Sequence, residues 1–208
     1  MREIVILLGA LLALFGLPAY AFVFQTSSSQ SEVTKEEYAV YNAVIGDMFA
    51  GSKVTFDTQA EVKLLVINDH TTSNLFLLGQ SDETSSTFRQ ELPLLVDETM
   101  NDYRTKNKGS EQLKPAFDLK IKYTLVEKQV IDLIFKHGPD GWPAFYKKYP
   151  DSGGYLRLSR VGFNRKTVQA LIYVEHGCGG LCGTGHYVFL VKGQEGWKVN
   201  KKIMAWIS

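Results

Sequence analysis

The chain has 208 residues, of which 45% are hydrophobic and 22% are charged, values typical of one globular domain with a buried core. Its 23 basic and 22 acidic side chains leave a formal net charge of +1. A charge balance so close to neutral provides no extended positive field, so the composition argues against nucleic acid as a partner.

The first residues have the pattern of a secretory signal peptide, which we predict over residues 1–21. A charged start is followed by the apolar run 4–17, then by Pro18 and a small-residue cleavage site that ends at Ala21. The alternative is an uncleaved membrane anchor, because apolar character continues through residues 22–24 and approaches the ~20 residues that span a bilayer. Both alternatives predict export to the periplasm or the medium, and only the second predicts contact with a membrane.

A polar, serine-rich segment, residues 22–31, is expected to be a flexible spacer before a single domain over residues 32–208. The domain begins with the signals of a helix start. Thr34 is placed as an N-cap with Glu37 at the capping-box position, and Val33 can pack on Tyr38. The apolar residues that follow recur at helical spacing, so the helix is predicted to end near Phe49.

The middle of the chain predicts mixed elements. They are a strand over 62–67 ended by Asn68-Asp69, a helix from Pro93 to about Lys106, a half-buried strand over 117–123, a segment 127–135 with helix preferred to strand, and a short helix over 140–149. The last third predicts four strands, over 155–163, 167–175, 187–192 and 197–207. Short loops between consecutive strands favour an antiparallel meander.

Helices early in the chain and strands later predict an α+β fold, with N-terminal helices packed on one face of a C-terminal antiparallel β-meander. In the last strand, five apolar side chains are expected to share one face. They are Trp197, Val199, Ile203, Ala205 and Ile207.

One glycine-rich loop holds the chain's two cysteines, with a histidine on either side, in the pattern His176-x-Cys178-x3-Cys182-x3-His186. Thiolates and imidazoles are the ligands of zinc and copper sites, so His176 and His186 are the metal candidates. The spacing differs from that of common zinc sites, and side chains at two strand ends need not share one sheet face. A thioredoxin-like redox role needs CxxC at a helix N-terminus, and this loop has CxxxC between strands.

Export favours a third interpretation, in which Cys178 and Cys182 form a disulfide, because thiols this close in an oxidising compartment become paired. The glycines allow the backbone to close the small ring. The loop residues are then candidates for a contact surface. They are Gly179, Gly180, Leu181, Gly183 and Gly185.

Other signs of catalysis are few. No P-loop or GxSxG motif is present, and Ser152 is interpreted as a turn residue. Asp69-His70 places an acid beside a histidine, a pattern that also ends strands through Asx turns. A group of aromatic residues could line a ligand groove, although such groups more often form a core. They are Trp142, Phe145, Tyr146 and Tyr149.

The C-terminal half carries a longer joint pattern. Its motifs are Trp142-x2-Phe145-x3-Tyr149-Pro150-x-Ser152-x-Gly154, Ser159-x-Val161-Gly162-Phe163-Asn164, Gln169-Ala170-Leu171-x-Tyr173, Cys178-Gly179-x-Leu181-Cys182-Gly183-x-Gly185, and Trp197-x-Val199 with Trp206-Ile207-Ser208. Together they resemble an uncharacterised family of exported bacterial proteins. The resemblance implies a bacterial origin but carries no activity, and it includes the cysteines but not His176 or His186.

The sequence therefore predicts a small, exported, non-enzymatic binding or envelope-associated domain without a cofactor. Its partner is an unknown protein or small molecule. The alternative is a hydrolase or metal-dependent enzyme that uses His176 and His186, with Asp69-His70 as further participants. A buried polar cluster that joins His70 to the 176–186 loop would favour this alternative, and separated, exposed histidines would favour the binding domain. An interaction or immunity-type role, with a protein as the ligand, is a third possibility that the sequence does not separate from the first.

Overall fold

A computed structural model of the chain describes residues 32–49, 62–73 and 82–208. The predicted signal peptide (1–21) and spacer (22–31) lie outside the described residues. The helices are α1 (Lys35–Met48), α2 (Asp82–Glu91), α3 (Asp97–Lys106), α4 (Lys128–Ile134) and α5 (Trp142–Lys148), with a 3₁₀ helix at Gly138–Gly141. The strands are β1 (Leu64–Asn68), β2 (Lys122–Val126), β3 (Ser152–Leu158), β4 (Gly162–Phe163), β5 (Gln169–Gly177), β6 (Gly183–Gly193) and β7 (Gly196–Ile207).

The start of α1 follows the predicted capping box. The Thr34 side chain accepts a hydrogen bond from the Glu37 backbone N–H at 3.2 Å, and a Glu37 carboxylate oxygen accepts one from the Thr34 backbone N–H at 2.9 Å. Both residues thereby satisfy N–H groups that a helix start leaves without intrahelical partners. The helix buries the predicted stripe, which includes Tyr41, Val44 and Ile45.

The strands form one mixed sheet in the order β2-β1-β3-β5-β6-β7, with β4 paired to β5. Strands β5, β6 and β7 are consecutive and antiparallel, which confirms the predicted meander and the α+β class. The sequence did not predict that β1 pairs in parallel with both β2 and β3. Because parallel neighbours need long crossovers, the helices α2 to α5 lie in the connections between these strands.

Helices cover both faces of the sheet, so the expectation that they share one face is wrong. One face packs against α1, with the buried strand residues Leu65, Ile67, Leu156, Leu158, Ile172, Val174, Val188 and Leu190. The opposite face has two further cores, with Leu171, Tyr173, Tyr187 and Phe189 beneath α2 and α3, and Val66 beneath α4 and α5. Successive strand residues point to opposite faces, and here both sets are apolar.

The helix predicted to begin at Pro93 begins instead at Asp97, after a separate helix, α2. The Leu95 backbone N–H donates to the Leu92 carbonyl at 3.0 Å, which places Pro93 in the turn between the helices. Proline is favourable both in such a turn and in the first turn of a helix. Pro93 alone therefore does not show whether a turn or a helix begins there.

Two predicted strands are shorter than expected. The segment 117–123 becomes a strand only at Lys122; before it, Phe117, Leu119 and Ile121 pack on the α1 core without strand pairing. The strand predicted over 155–163 breaks after Leu158 and resumes as the short β4. The ambiguous segment 127–135 contains helix α4, which agrees with the preferred interpretation.

Strand β7 does not keep its apolar residues on one face. Register shifts against β6 occur at Gly185/His186 and at Phe189/Leu190, and each reverses the alternation along β7. As a result Trp197 and Val199 pack with the α1 core, Ile203 and Ala205 pack on the opposite face, and 68% of Ile207 is exposed.

Candidate functional site

The loop between β5 and β6 is closed by a disulfide between Cys178 and Cys182, as predicted, with their Cα atoms 5.0 Å apart. A backbone hydrogen bond from Cys178 N–H to the Cys182 carbonyl, at 2.7 Å, continues the strand pairing up to the ring. Pairing of Gly177 with Gly183 precedes it. The loop is therefore held both by the disulfide and by the hydrogen bonds that pair β5 with β6 at its base.

The histidines beside this loop lie on one face of the sheet. His186 is paired with Val174 and His176 with Thr184, so both side chains point to the face that α1 covers. His176 is 8% exposed, and its Nε2 donates to the Gly153 carbonyl at 2.6 Å, towards β3 and away from β6. Burial holds the pKa of His176 below its ordinary value.

His186 is half-buried, and its pKa is lowered by burial and by the positive charge of Lys202. The four residues of the histidine and cysteine pattern do not form a set of metal ligands. The two cysteine sulfur atoms are bonded to each other, and His176 Nε2 is hydrogen-bonded to the Gly153 carbonyl. Within residues 32–49, 62–73 and 82–208, no group of three or more histidine, cysteine or carboxylate side chains is placed to hold a metal ion.

Leu181, at the tip of the disulfide-closed loop, is 91% exposed. On one side, Gly180 lies against Pro139 of the 3₁₀ helix, with 3.7 Å between an added Gly180 Cβ and the Pro139 Cβ. On the other side, Ile207 is paired with Thr184, two residues after Cys182. We call this set the loop-end surface; it consists of Pro139, Gly180, Leu181, Trp206 and Ile207.

A hydrogen-bonded row supports the loop-end surface from below. The Trp206 indole N–H donates to the Tyr173 hydroxyl at 2.6 Å, and this hydroxyl donates to the Glu175 carboxylate at 3.0 Å. Glu175 lies 3.6 Å from Arg157, whose guanidinium lies over the Tyr155 ring. Trp206 of β7 is thereby fixed to Tyr173 of β5, across the intervening strand β6.

The aromatic residues that could have lined a groove are packed on one another. Trp142 is stacked between Tyr146 and Tyr155, at centroid distances of 5.6 and 5.8 Å, and Phe145 is fully buried. The Tyr146 hydroxyl donates to the Cys178 carbonyl at 2.7 Å. The cluster is therefore a core that also anchors the disulfide-closed loop.

Asp69 and His70 are joined by a hydrogen bond, with 2.8 Å between Asp69 Oδ1 and His70 Nδ1, but they lie far from the loop. Strand β1 pairs with β3 from Leu64 opposite Ser152, near the disulfide, and His70 follows the other end of β1. Six residues of extended chain correspond to ~20 Å. Ser152 is the first residue of β3 rather than a turn residue, and its buried hydroxyl donates to the Tyr149 carbonyl at 2.7 Å.

Helix α1 runs along the sheet towards the loop. Near its start, Glu36 accepts hydrogen bonds from Lys192 and from the Trp197 indole, beside the turn between β6 and β7. At its end, the Phe49 ring is 5.5 Å from that of His176, beside the disulfide-closed loop. Residue 32, where the described chain begins, therefore lies at the end of the sheet opposite to the loop-end surface.

Comparison of the chain with models of protein families, with curated proteins and with solved structures finds no match. Across the described residues, no helix is both long enough and apolar enough to cross a membrane.

Sequence reasoning identified Leu181 as part of a contact loop, but it missed the neighbours of this residue. Regular alternation along β7 predicts that Ile207 shares one face with Trp197 and Val199, and the register shifts of this strand make that prediction wrong. Trp206 had been noted only as part of a motif, and its hydrogen bond to Tyr173 depends on a bulge that no sequence signal marks.

Proposed function

We propose that this chain is an exported bacterial binding domain and that the loop-end surface is where its partner binds. The observation that carries the proposal is the 91% exposure of Leu181 at the tip of a loop closed by a disulfide. A large apolar side chain gains free energy when a partner covers it, and little entropy is lost when its backbone is already held in place.

Export is supported by the signal-peptide pattern of residues 1–21, by the resemblance to exported bacterial proteins and by the disulfide, a bond typical of oxidising compartments. The mature protein is proposed to act in the periplasm or the medium.

The enzymatic alternative is less well supported by the geometry. A polar cluster joining His70 to the 176–186 loop would favour it, but these groups lie at opposite ends of β1 and β3. His176 is buried and engaged with a backbone carbonyl. We therefore favour binding over catalysis.

The test is photo-crosslinking in a bacterium that produces and exports the protein. A photoreactive phenylalanine analogue replaces Leu181 in one variant and Leu94 in a control variant. Leu94 is 60% exposed and lies at the other end of the sheet, where its carbonyl accepts from Gln169.

We expect one discrete adduct from position 181, none of the same mass from position 94, and loss of the adduct when purified protein competes. Purified Leu181→Ser protein should compete poorly. Equal adducts from both positions, or no adduct at 181, would contradict the proposed function.

A further inference from the structure

We infer that the charged pair of Arg157 and Glu175, with Trp206 beside it, binds a neutral saccharide through two neighbouring hydroxyl groups. The site lies on the face of the sheet opposite to α1. It shares only Trp206 with the loop-end surface, so it adds a ligand site to the proposed function and does not depend on it.

The register of the strands places the site residues in one row. Arg157 of β3 is opposite Glu175 of β5, Glu175 is opposite Gly185 of β6, and Gly185 is opposite Trp206 of β7. Residues directly opposite each other on antiparallel strands lie on the same face of the sheet. A charged pair and an aromatic ring are thereby brought together from three segments of the chain.

The charged pair lies between two apolar cores. Two residues before Arg157, Tyr155 packs with the core beneath α4 and α5, and two residues before Glu175, Tyr173 belongs to the core beneath α2 and α3. The exposed side-chain fractions are 26% for Arg157 and 17% for Glu175. Both groups are therefore partly desolvated yet reachable from solvent, and hydrogen bonds made there are stronger than on an open surface.

Arg157 has hydrogen-bonding capacity that the described residues do not use. Its Nη1 lies 3.6 Å from Glu175 Oε2 and its Nη2 lies 3.8 Å from Asp132 Oδ1. These distances allow ionic attraction but exceed the ~2.7–3.2 Å of a hydrogen bond. Its Nε is buried and has no hydrogen-bond partner within the described part of the chain. The Nη groups can therefore donate to a ligand.

The two separations select hydroxyl groups. A hydroxyl accepts and donates at a single oxygen, whereas an amide has its donor and acceptor on different atoms. One oxygen between Nη1 and Glu175 Oε2 can lie ~2.8–2.9 Å from each, and the same holds between Nη2 and Asp132 Oδ1. Because both Nη atoms belong to one guanidinium, the two hydroxyls must be neighbours, as they are on a sugar ring.

The charges around the site select a neutral ligand. Asp132 pairs with Lys128 as well as with Arg157, so two positive and two negative charges balance in this cluster. An anion would face the carboxylates of Glu175 and Asp132, and a cation would face Arg157 and Lys128. Neither gains the net attraction that a charged ligand requires.

Trp206 provides an apolar surface next to the charged pair. Its indole N–H donates to the Tyr173 hydroxyl at 2.6 Å, and this hydroxyl donates to Glu175 at 3.0 Å, so the ring is held close to the carboxylate. The side chain remains 37% exposed. A sugar of the glucose configuration has hydroxyls around its edge and C–H groups on its faces. It can therefore contact the indole and the charged pair together.

The test is titration of the purified, disulfide-bonded protein with cellotriose and with chitotriose, followed by ¹H–¹⁵N NMR. We expect a saturable shift of the Trp206 indole signal, with a dissociation constant of ~1 mM or tighter for at least one of the two sugars. The Trp197 indole is hydrogen-bonded to Glu36 at the other end of the sheet and should not shift. Because the ligand is neutral, raising NaCl from ~50 to ~500 mM should leave the affinity unchanged.

Two substitutions test the charged groups against a matched control. Arg157→Gln and Asp132→Ala should each weaken binding, the first at least ~10-fold, because hydrogen bonds to charged groups are lost. Arg165→Gln removes an arginine from another Arg–Glu pair, with Glu98 at 3.2 Å, and should have no effect. Circular dichroism confirms that the variants are folded, and Asp132 is exposed enough for its variant to fold if Arg157→Gln does not.

Four outcomes would overturn the inference. They are no saturable shift with either sugar, equal shifts of both indoles, equal weakening by Arg157→Gln and Arg165→Gln, and an affinity that falls as salt is added. Leu181→Ser should leave sugar binding unchanged. If position 181 gives no specific adduct while the sugar still binds, only the proposed function is rejected; the reverse result rejects only the saccharide site.

Discussion

Arg160 and Glu37, 123 residues apart in the chain, form an ion pair in the interior of the domain. Arg160 Nε donates to Glu37 Oε1 at 2.7 Å and Nη2 donates to Oε2 at 3.0 Å, with exposed side-chain fractions of 2% and 0%. The same carboxylate accepts from the Thr34 and Val161 backbone N–H groups. One side chain therefore caps α1 and joins this helix to the break between β3 and β4.

Removing one partner of this pair should be costly. Glu37→Gln removes the carboxylate charge that faces the buried Arg160 guanidinium, and we expect a loss of ~3–5 kcal/mol in the free energy of unfolding. Urea denaturation followed by circular dichroism measures it. Lys198→Gln, which removes a charge from an exposed ion pair with Glu195, is the control and should change stability by less than ~1 kcal/mol. Similar small effects of both substitutions would contradict a structural role for the buried pair.

Acid should weaken the fold through the same carboxylate. Burial alone would raise the pKa of Glu37, but the hydrogen bonds from Arg160 and the backbone outweigh it, and the pKa lies below its ordinary value of 4.5. Its contribution to stability is therefore complete above that value and is lost as the pH falls through the folded-state pKa. We expect Glu37→Gln to flatten the decline in stability below about pH 4.5, measured by urea titration at successive pH values.

His176 should produce a second pH dependence, at higher pH. Burial lowers its pKa below the ordinary value of 6.5, so the unfolded chain binds the proton more readily than the folded protein does. Stability should be complete above pH 6.5 and decline as the pH falls below it. His176→Gln should remove part of this decline. The exposed His70 provides the control, His70→Gln, and an unchanged slope in the His176 variant would show that the buried ring does not titrate on unfolding.

The disulfide should make a measurable contribution to stability. Closing a ring of five residues, Cys178 to Cys182, corresponds to about 2 kcal/mol of loop entropy in the unfolded chain. We expect the Cys178→Ser/Cys182→Ser variant to be folded and less stable by about that amount in thermal denaturation. Alkylation followed by intact-mass measurement should find no free thiol in protein recovered from the periplasm or the medium before reduction, and two alkylated cysteines would contradict the bond.

Two glycines of β6 offer a matched pair of substitutions. A Cβ on Gly185 would lie 2.1 Å from Trp206 Nε1 and 2.5 Å from the Tyr173 hydroxyl, whereas a Cβ on Gly193 has nothing within 4 Å. Gly185→Ala should separate Trp206 from Tyr173 and reduce stability by ~1–3 kcal/mol, and Gly193→Ala should be nearly neutral. Tryptophan fluorescence and thermal denaturation test both. If Gly185→Ala leaves the stability unchanged, Trp206 and Tyr173 can move away from the added methyl group without loss of stability.

The parts of the fold that the sequence predicted are those encoded locally. The capping box at Thr34, the stripe of α1 and the three strands of the meander each depend on residues within one element, and the structure has all of them. The disulfide also follows from local spacing together with the expected compartment.

The features that the sequence did not predict depend on contacts between distant segments. The parallel pairing of β1 with β2 and β3, the second helical layer and the Glu37–Arg160 pair have no local pattern. The hydrophobic pattern of β7 predicts that Ile207 shares a face with the other apolar residues, but the two register shifts of this strand leave it exposed. The candidate site shows the same division. Leu181 was predictable because it lies in a loop that its own glycines and cysteines define. Trp206 and Ile207 were not, because they come from the end of the chain and reach the loop only through strand pairing.

The contact of α1 with β7 constrains the order in which the domain can be completed. Glu36 and Asp47 of the first described helix are held by Trp197 and Lys202 of the last strand. During synthesis, which proceeds from the N-terminus, these two contacts of α1 form only after residues 196–207 have been made, whereas its apolar stripe also packs on β1, β3, β5 and β6. The contacts that hold both ends of α1 are therefore complete only when the chain is nearly complete.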